Sequence, residues 1–217
     1  MWIKRNLPSF AIIGIMLVFS YFYYGSLPDT IPTHFDFHGN PDRYSSKKFF
    51  IVLMPVIFSI VLVITNILVY ISPKIFSMAH SKKALDRIIF GTGLLFLGIH
   101  LGSMLDPGPM EVNGLSTRIF TAGMACFLIV AGNMLGKSER NFFVGFRIPW
   151  TIASEANWKA THRFAARMMV GWGVLLVIII PVYSQVALAT VGLILILLIS
   201  CGYSFWYYLK KERPYEE

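Results

Sequence analysis

The sequence predicts an all-α polytopic membrane protein, a six-transmembrane-helix bundle with N- and C-termini cytoplasmic. Composition is the first sign: the 217 residues are 56% hydrophobic and 14% charged, against about 25% charged in an ordinary soluble domain, and the mean hydropathy is +0.63. Segmentation is the second. Residues 7–25, 49–71, 88–105, 119–135, 168–183 and 186–209 form apolar runs free of Asp, Glu, Lys and Arg, and a bilayer crossing needs roughly 20 such residues. The third is the sidedness of charge. Threading six spans from a cytoplasmic N-terminus leaves only Arg43, Lys47, Lys48 and Arg118, of 19 Lys and Arg residues, on the outer side, as the positive-inside bias requires. Backbone N–H groups in lipid need internal partners, so the spans are helices.

The first span follows Lys4 and Arg5 and ends in Tyr21, Tyr23 and Tyr24. Residues 24–28 lack a small-x-small cleavage site, so this span reads as a retained anchor. The outer loop at 26–48 is too long and too proline-rich for a simple turn and is expected to be structured. In an extended strand His34, Asp36 and His38 project to one side, with Asp42 returning past Gly39-Asn40. Imidazoles and carboxylates of this kind can ligate Zn²⁺. The plainer reading has them hydrogen-bonding their own loop, and no His-Glu-x-x-His pattern is present; the expectation is no metal and no cofactor. Asn40-Pro41-Asp42 reads as a turn.

The second span carries Pro55 and Asn66. Residues 72–87 look amphipathic, with Ile75, Phe76, Met78 and Leu85 among Lys74, Lys82, Lys83 and Arg87, a pattern suited to the lipid interface. His100 stands near the outer end of the third span, where it is expected to be hydrated; an ionisable group at such a depth is a functional candidate by default. Pro107, Gly108, Pro109 and Gly114 mark turns before the fourth span, which holds Asn133 near its inner end. Cys126 and Cys201 both sit in apolar segments and read as packing residues, with no disulfide framework.

The inner loop at 136–167 falls into two parts. Residues 151–167 read as a helix lying at the membrane surface, with Thr151 or Ser154 as N-cap and Glu155 in the first turn. On it Lys159, Arg163 and Arg167 share one face, and Trp158, Thr161, His162 and Ala165 another. Pro181 is expected to kink the fifth span, Ser184-Gln185 to join it to the sixth, and Trp206, Tyr207 and Tyr208 to form an interfacial belt. The first part of the loop is chemically richer. Asn141-Phe142-Phe143-Val144-Gly145-Phe146-Arg147-Ile148-Pro149-Trp150-Thr151 concentrates aromatics around an arginine, a glycine and a proline. Arg147 offers a planar donor fork for a carboxylate, Trp150 and Trp158 are aromatic anchors of the type that dominates interfaces, Gly145 allows close backbone approach, and Pro149 fixes chain direction. Internal packing of the same residues is the competing reading. The net charge of +8 is spread over loops as a topology and lipid-headgroup signal, and no direct nucleic-acid binding is expected.

Two motifs point to a family. Pro28-x-x-Ile31-Pro32-x-His34-Phe35-Asp36-x-x-Gly39-x-Pro41-Asp42 resembles the small uncharacterised domain at the N-terminus of SdpI-like membrane proteins. Asn141-x-x-x-Gly145-x-Arg147-x-Pro149-Trp150-Thr151, followed by Trp158 and Thr161-His162-Arg163, resembles the signature of the SdpI family itself. The resemblance covers nearly the whole chain and divides it into a region at 1–105 and an SdpI-like region at 106–217. It implies a non-enzymatic protein of the bacterial cell membrane that gives immunity to a secreted killing peptide and holds a small ArsR-like repressor at the membrane. His34, Asp36, Gly39, Pro41 and Asp42 then become toxin-contact candidates. Asn141, Gly145, Arg147, Pro149, Trp150, Thr151 and Trp158 become candidates for a cytoplasmic partner, and His100 remains an intramembrane polar candidate. Two other classes stay open: a small transporter or channel, disfavoured by the lack of charges within the spans and of inverted repeats, and a membrane metalloenzyme built on His34, Asp36, His38 and Asp42, for which no catalytic motif is visible.

Overall fold

The computed structural model describes residues 2–36, 39–71, 82–141 and 144–213; His38 and residues 72–81 of the expected amphipathic stretch at 72–87 lie outside them, while 82–87 open a long helix that buries Leu85. Six long helices carry the chain back and forth: α1 (Trp2–Tyr23), α2 (Lys47–Tyr70), α3 (Lys82–Leu105), α4 (Leu115–Leu135), α6 (Glu155–Ile179) and α7 (Val186–Tyr207), with a short α5 (Pro149–Ala153) before α6. The shortest of the six, α4, has 21 residues, about 31 Å at 1.5 Å per residue, enough to span a hydrocarbon core of about 30 Å. All six are apolar enough to cross a membrane. Their outward faces carry large exposed hydrophobics such as Val56, Ile60 and Ile67 on α2 and Ile194, Leu195 and Leu198 on α7, as lipid-facing surfaces do. The chain is a multi-pass membrane protein.

The outer loop is structured, and it adds the two strands described in this helical protein. Strands β1 (Thr30–Phe35) and β2 (Pro41–Ser46) pair antiparallel. The turn runs from Asp36 to Asn40, closed by Asp36 N–H donating to Asn40 O (2.8 Å) and Gly39 N–H to Asp36 O (3.0 Å). Pro41 and Asp42 therefore open β2 and lie outside the turn, contrary to expectation. A strand's first residue tolerates the missing N–H of proline, and Gly39 supplies the positive φ (88°) that the turn needs. Ser46 caps α2 by accepting from Phe49 N–H.

Three loops are tied together at the hairpin end. Met110 N–H donates to Gly39 O (3.0 Å), and Asn113 and Ser184 exchange two bonds of 2.9 and 2.7 Å. Opposite this end lie the start of α1, the 136–154 loop and the last residues described. One buried cluster joins α1, α2 and α3 through Ile12, Met16, Phe58, Leu62, Leu85 and Ile89. Another joins α4, α6 and α7 through Leu128, Ala165, Met169, Leu176 and Ile196. The seam between α3 and α4 is close: a β-carbon on Gly98 would sit 3.1 Å from both Gly123 Cα and Ile119 O. Small residues at helix crossings allow this approach where lipid supplies no hydrophobic drive.

Several expectations are corrected. The surface helix at 151–167 and the fifth span are one object: α6 runs unbroken from Glu155 to Ile179. No proline interrupts it, and its polar face finds partners inside the bundle. Ser154, rather than Thr151, is its N-cap, accepting from Asn157 N–H at 3.2 Å. Pro181 lies beyond the helix end and kinks nothing. Cys126 is exposed on the bundle's outer surface instead of packed within it. His100 is fully buried, not hydrated, because α1 and α2 cover it.

Gly98→Val should wedge α3 from α4 and destabilise the protein by about 1–3 kcal/mol, the range for overpacking. Gly14→Val, where a β-carbon meets open space, should be nearly neutral. Thermal unfolding of the two purified variants in one detergent checks the contrast.

Candidate functional site

The 136–154 loop folds onto the start of α6, and most of the motif holds this fold. Asn141 is buried; its carbonyl accepts Val144 N–H (2.7 Å) and its amide donates to Glu139 O (2.8 Å), closing a local turn. Gly145 follows with φ 111°, and a β-carbon there would overlap the His162 ring. Phe146 N–H donates to His162 Nε2 (3.0 Å), and His162 Nδ1 lies 2.8 Å from Trp158 O. A carbonyl only accepts and an N–H only donates, so the ring is the neutral tautomer with its proton on Nδ1. Trp158 stacks on His162 at 4.0 Å between ring centres and donates its indole N–H to Ser138 O (2.9 Å). Thr151 Oγ1 accepts Ile148 N–H (3.2 Å) and donates to Phe146 O (2.5 Å). Arg140 reaches the free carbonyls of Ile152 and Ala153 at the end of α5, where a cation is favoured.

Asn141, Thr151, Trp158 and His162 are thus internal, while Gly145, Arg147 and Pro149 are exposed. Trp150 is half-buried against Phe205 and Tyr208 at 4.8 and 6.2 Å between ring centres. What a partner can touch from this motif is the strip Gly145, Arg147, Pro149 and Trp150.

A second polar group beside it was not singled out from sequence. Asn157 is fully buried. Its amide donates to Ser204 O (3.1 Å) and Glu212 Oε2 (3.3 Å), and its carbonyl accepts from Ser204 Oγ (2.7 Å) and Thr161 Oγ1 (3.0 Å). Its hydrogen-bonding capacity is fully used. Glu212 also accepts from Ser154 Oγ, which sets a carboxylate at the positive end of the α6 dipole. The i, i+4 pair Asn157 and Thr161 was the available hint; Ser204 and Glu212, some 50 residues on, gave none.

At the hairpin end a groove of about 500 Å³ opens between the hairpin, the 110–112 loop and the start of α7. Thr33, His34, Phe35, Asp36 and Gly39 form one side; Met110, Glu111 and Val112 another; Phe120, Val186, Ala187, Thr190, Val191 and Ile194 the apolar floor. Of the residues singled out in the outer loop, His34, Asp36 and Gly39 line it, whereas Pro41 and Asp42 do not. His34 Nδ1 pairs with Asp42 Oδ1 at 2.7 Å, and Asp36 turns onto its own loop, accepting from Asn40 N–H at 2.8 Å. Among the described residues no group of three or more His, Cys, Asp or Glu side chains could hold a metal. The α7 part of the groove was invisible in sequence, because it arises where distant loops meet. His100 lies deeper, its Nε2 3.0 Å from Ser20 Oγ and 3.2 Å from Met16 O, its ring parallel to Phe50. It ties α3 to α1.

Gly145→Ala should lower stability by more than about 1 kcal/mol, since the residue needs positive φ as well as space. The effect of adding His162→Ala should be clearly non-additive, because the two residues share one contact. Thermal unfolding of both single variants and the double variant measures the coupling.

Comparison with known proteins agrees with this architecture. Residues 137–207 match the family described as the SdpI/YfhL protein family, and residues 11–58 match a domain of unknown function, DUF1648. The chain is 29% identical over 211 residues to the Immunity protein SdpI of Bacillus subtilis (strain 168), covering 96% of this chain and 97% of that protein. It is 37% identical over 59 residues to an uncharacterized protein of Archaeoglobus fulgidus, covering 25% of this chain and 32% of that one. No solved structure matches. The stretch that contains Gly145, Trp158 and His162 thus resembles the SdpI/YfhL protein family, and this multi-pass bacterial membrane protein is similar to an SdpI protein along 96% of its length.

Proposed function

We propose that this chain is an immunity protein that protects its cell from a secreted killing peptide, and that the peptide is met at the hairpin-end groove. The observation that carries this reading is the similarity to the Immunity protein SdpI along 96% of the chain. A groove on the same molecule supplies a surface of the right kind: an apolar floor of Phe120, Val186, Val191 and Ile194 with Asp36 and Glu111 beside it suits an apolar peptide carrying a cationic group. The charge bias of the loops supports an outward-facing hairpin. The role is binding, without chemistry on the peptide.

The opposite end then faces the cytoplasm, where the strip Gly145, Arg147, Pro149 and Trp150 is the surface offered to an ArsR-like repressor. Coupling between the two ends requires a bundle whose two arrangements bind the two partners differently. The two ends are mechanically connected: Val144 of the motif loop packs on the α1–α3 cluster, and α1 leads from there to the hairpin.

Expression of the chain in a sensitive strain should raise the peptide concentration needed for killing. Ala187→Trp, which fills the groove floor, should return it toward the empty-vector value while membrane abundance is unchanged, with affinity falling about ten-fold for each 1.4 kcal/mol of binding removed. Full protection by Ala187→Trp would move the contact away from the groove; no protection by the unaltered chain against any secreted peptide tested would end the immunity reading. Arg147→Ala with Trp150→Ala should release a co-purifying repressor and leave protection intact.

A further inference from the structure

Two grooves on the flank of the bundle meet at Arg167 and Gly171. The first, of about 540 Å³, lies between α4 and α6 at the motif-loop end and is lined by Asn133, Lys137, Arg163, Ala166, Arg167 and Val170 over Gly132, Gly136 and Gly171. The second, of about 360 Å³, continues between α6 and α7 along Met168, Trp172, Leu175, Leu195 and Ile199. Arg163, Arg167, Gly171 and Leu175 follow one another at spacing four, so they form a single stripe along α6. The stripe is cationic at its first two positions and apolar beyond.

From this arrangement we propose that the flank binds one anionic phospholipid, its phosphate among Lys137, Arg163 and Arg167 and an acyl chain laid along the α6–α7 groove. No carboxylate lines either groove, and among the described residues neither arginine has a carboxylate partner, while Lys137 donates only to Asn133 Oδ1 at 3.2 Å. The three cations are exposed beside the end of α4, where Gly136 meets Arg163 and Ala166 of α6, the depth at which headgroups lie. Basic pockets between membrane helices at that depth suit phosphate-bearing headgroups. The apolar continuation distinguishes a lipid from a free anion. From Arg167 to Leu175 the stripe descends about 12 Å along the helix, into a wall where Leu175, Leu195 and Ile199 remain exposed. Gly192 lets the Trp172 ring lie flat against α7, which hollows the groove where the chain would run.

The test is native mass spectrometry of the full chain in detergent, titrated with phosphatidylglycerol, with phosphatidylcholine and with inorganic phosphate. Phosphatidylglycerol should bind with one high-affinity site that phosphatidylcholine does not fill. Arg163→Gln with Arg167→Gln should weaken that site roughly 30-fold, at about one lipid-headgroup contact per cation. Gly171→Leu leaves the charges alone and enters open space, with nothing within 4 Å of its β-carbon; it should weaken binding by blocking the junction of the grooves. Lys83→Gln, away from both, should bind as the unaltered protein does. Equal binding of phosphatidylcholine, or unchanged binding in the arginine variant or in Gly171→Leu, overturns the proposal. Displacement of the lipid by inorganic phosphate reassigns the pocket to a free anion, and displacement by polyglutamate reassigns it to an acidic protein segment; either result overturns it too.

Discussion

Buried polar groups in a lipid-surrounded bundle must find their partners within the chain, and this constraint governs the structure from the first turn of α6 outward. Asn157 satisfies it with four bonds to three other side chains and a backbone carbonyl. His162 satisfies it with a carbonyl on one nitrogen and an amide on the other. An unsatisfied group here costs about 1–3 kcal/mol or more, so loop 136–154, α6 and the end of α7 form one cooperative unit. Arg5 at the start of α1 follows the same logic: it lies 3.2 Å from Asp86 on α3 and bonds Asn66 on α2. A cation near the lipid boundary is neutralised where three helices converge.

The spans were legible because apolar runs and absent charges are local properties of the chain. The family motifs were legible for the same reason, being short and dense in unusual residues. Whether a motif residue faces a partner or the core was not legible. Trp158 and Trp150 look alike in sequence, yet one is sealed against His162 and the other leans half-buried on Phe205. The difference is set by where α7 lies, which local pattern does not encode. The misreading of 151–167 as a surface helix has the same origin. A face bearing Trp158, Thr161 and His162 looks amphipathic, but its polar atoms are consumed by Ser138, Asn157 and the Phe146 amide.

The hairpin end shows the converse. The loop at 26–48 was expected to be structured from its length and prolines, and it is. The groove beside it depends on Met110 meeting Gly39 and on Asn113 meeting Ser184, contacts between segments some 70 residues apart. Only His34, Asp36 and Gly39 of the residues singled out reach it. The His34–Asp42 pair draws two ligand-like side chains together across β1 and β2, where each satisfies the other.

Glu212 has a consequence for how the molecule comes into being. The N-terminus of α6 receives its carboxylate from Glu212, which lies beyond the last span, α7. During synthesis the chain emerges from its N-terminus, so α6 is inserted long before that acceptor exists. The start of α6 is completed only after the last span, α7, has been made. A product that stops at the end of α7 can therefore thread all six spans and still lack the carboxylate that completes the start of α6.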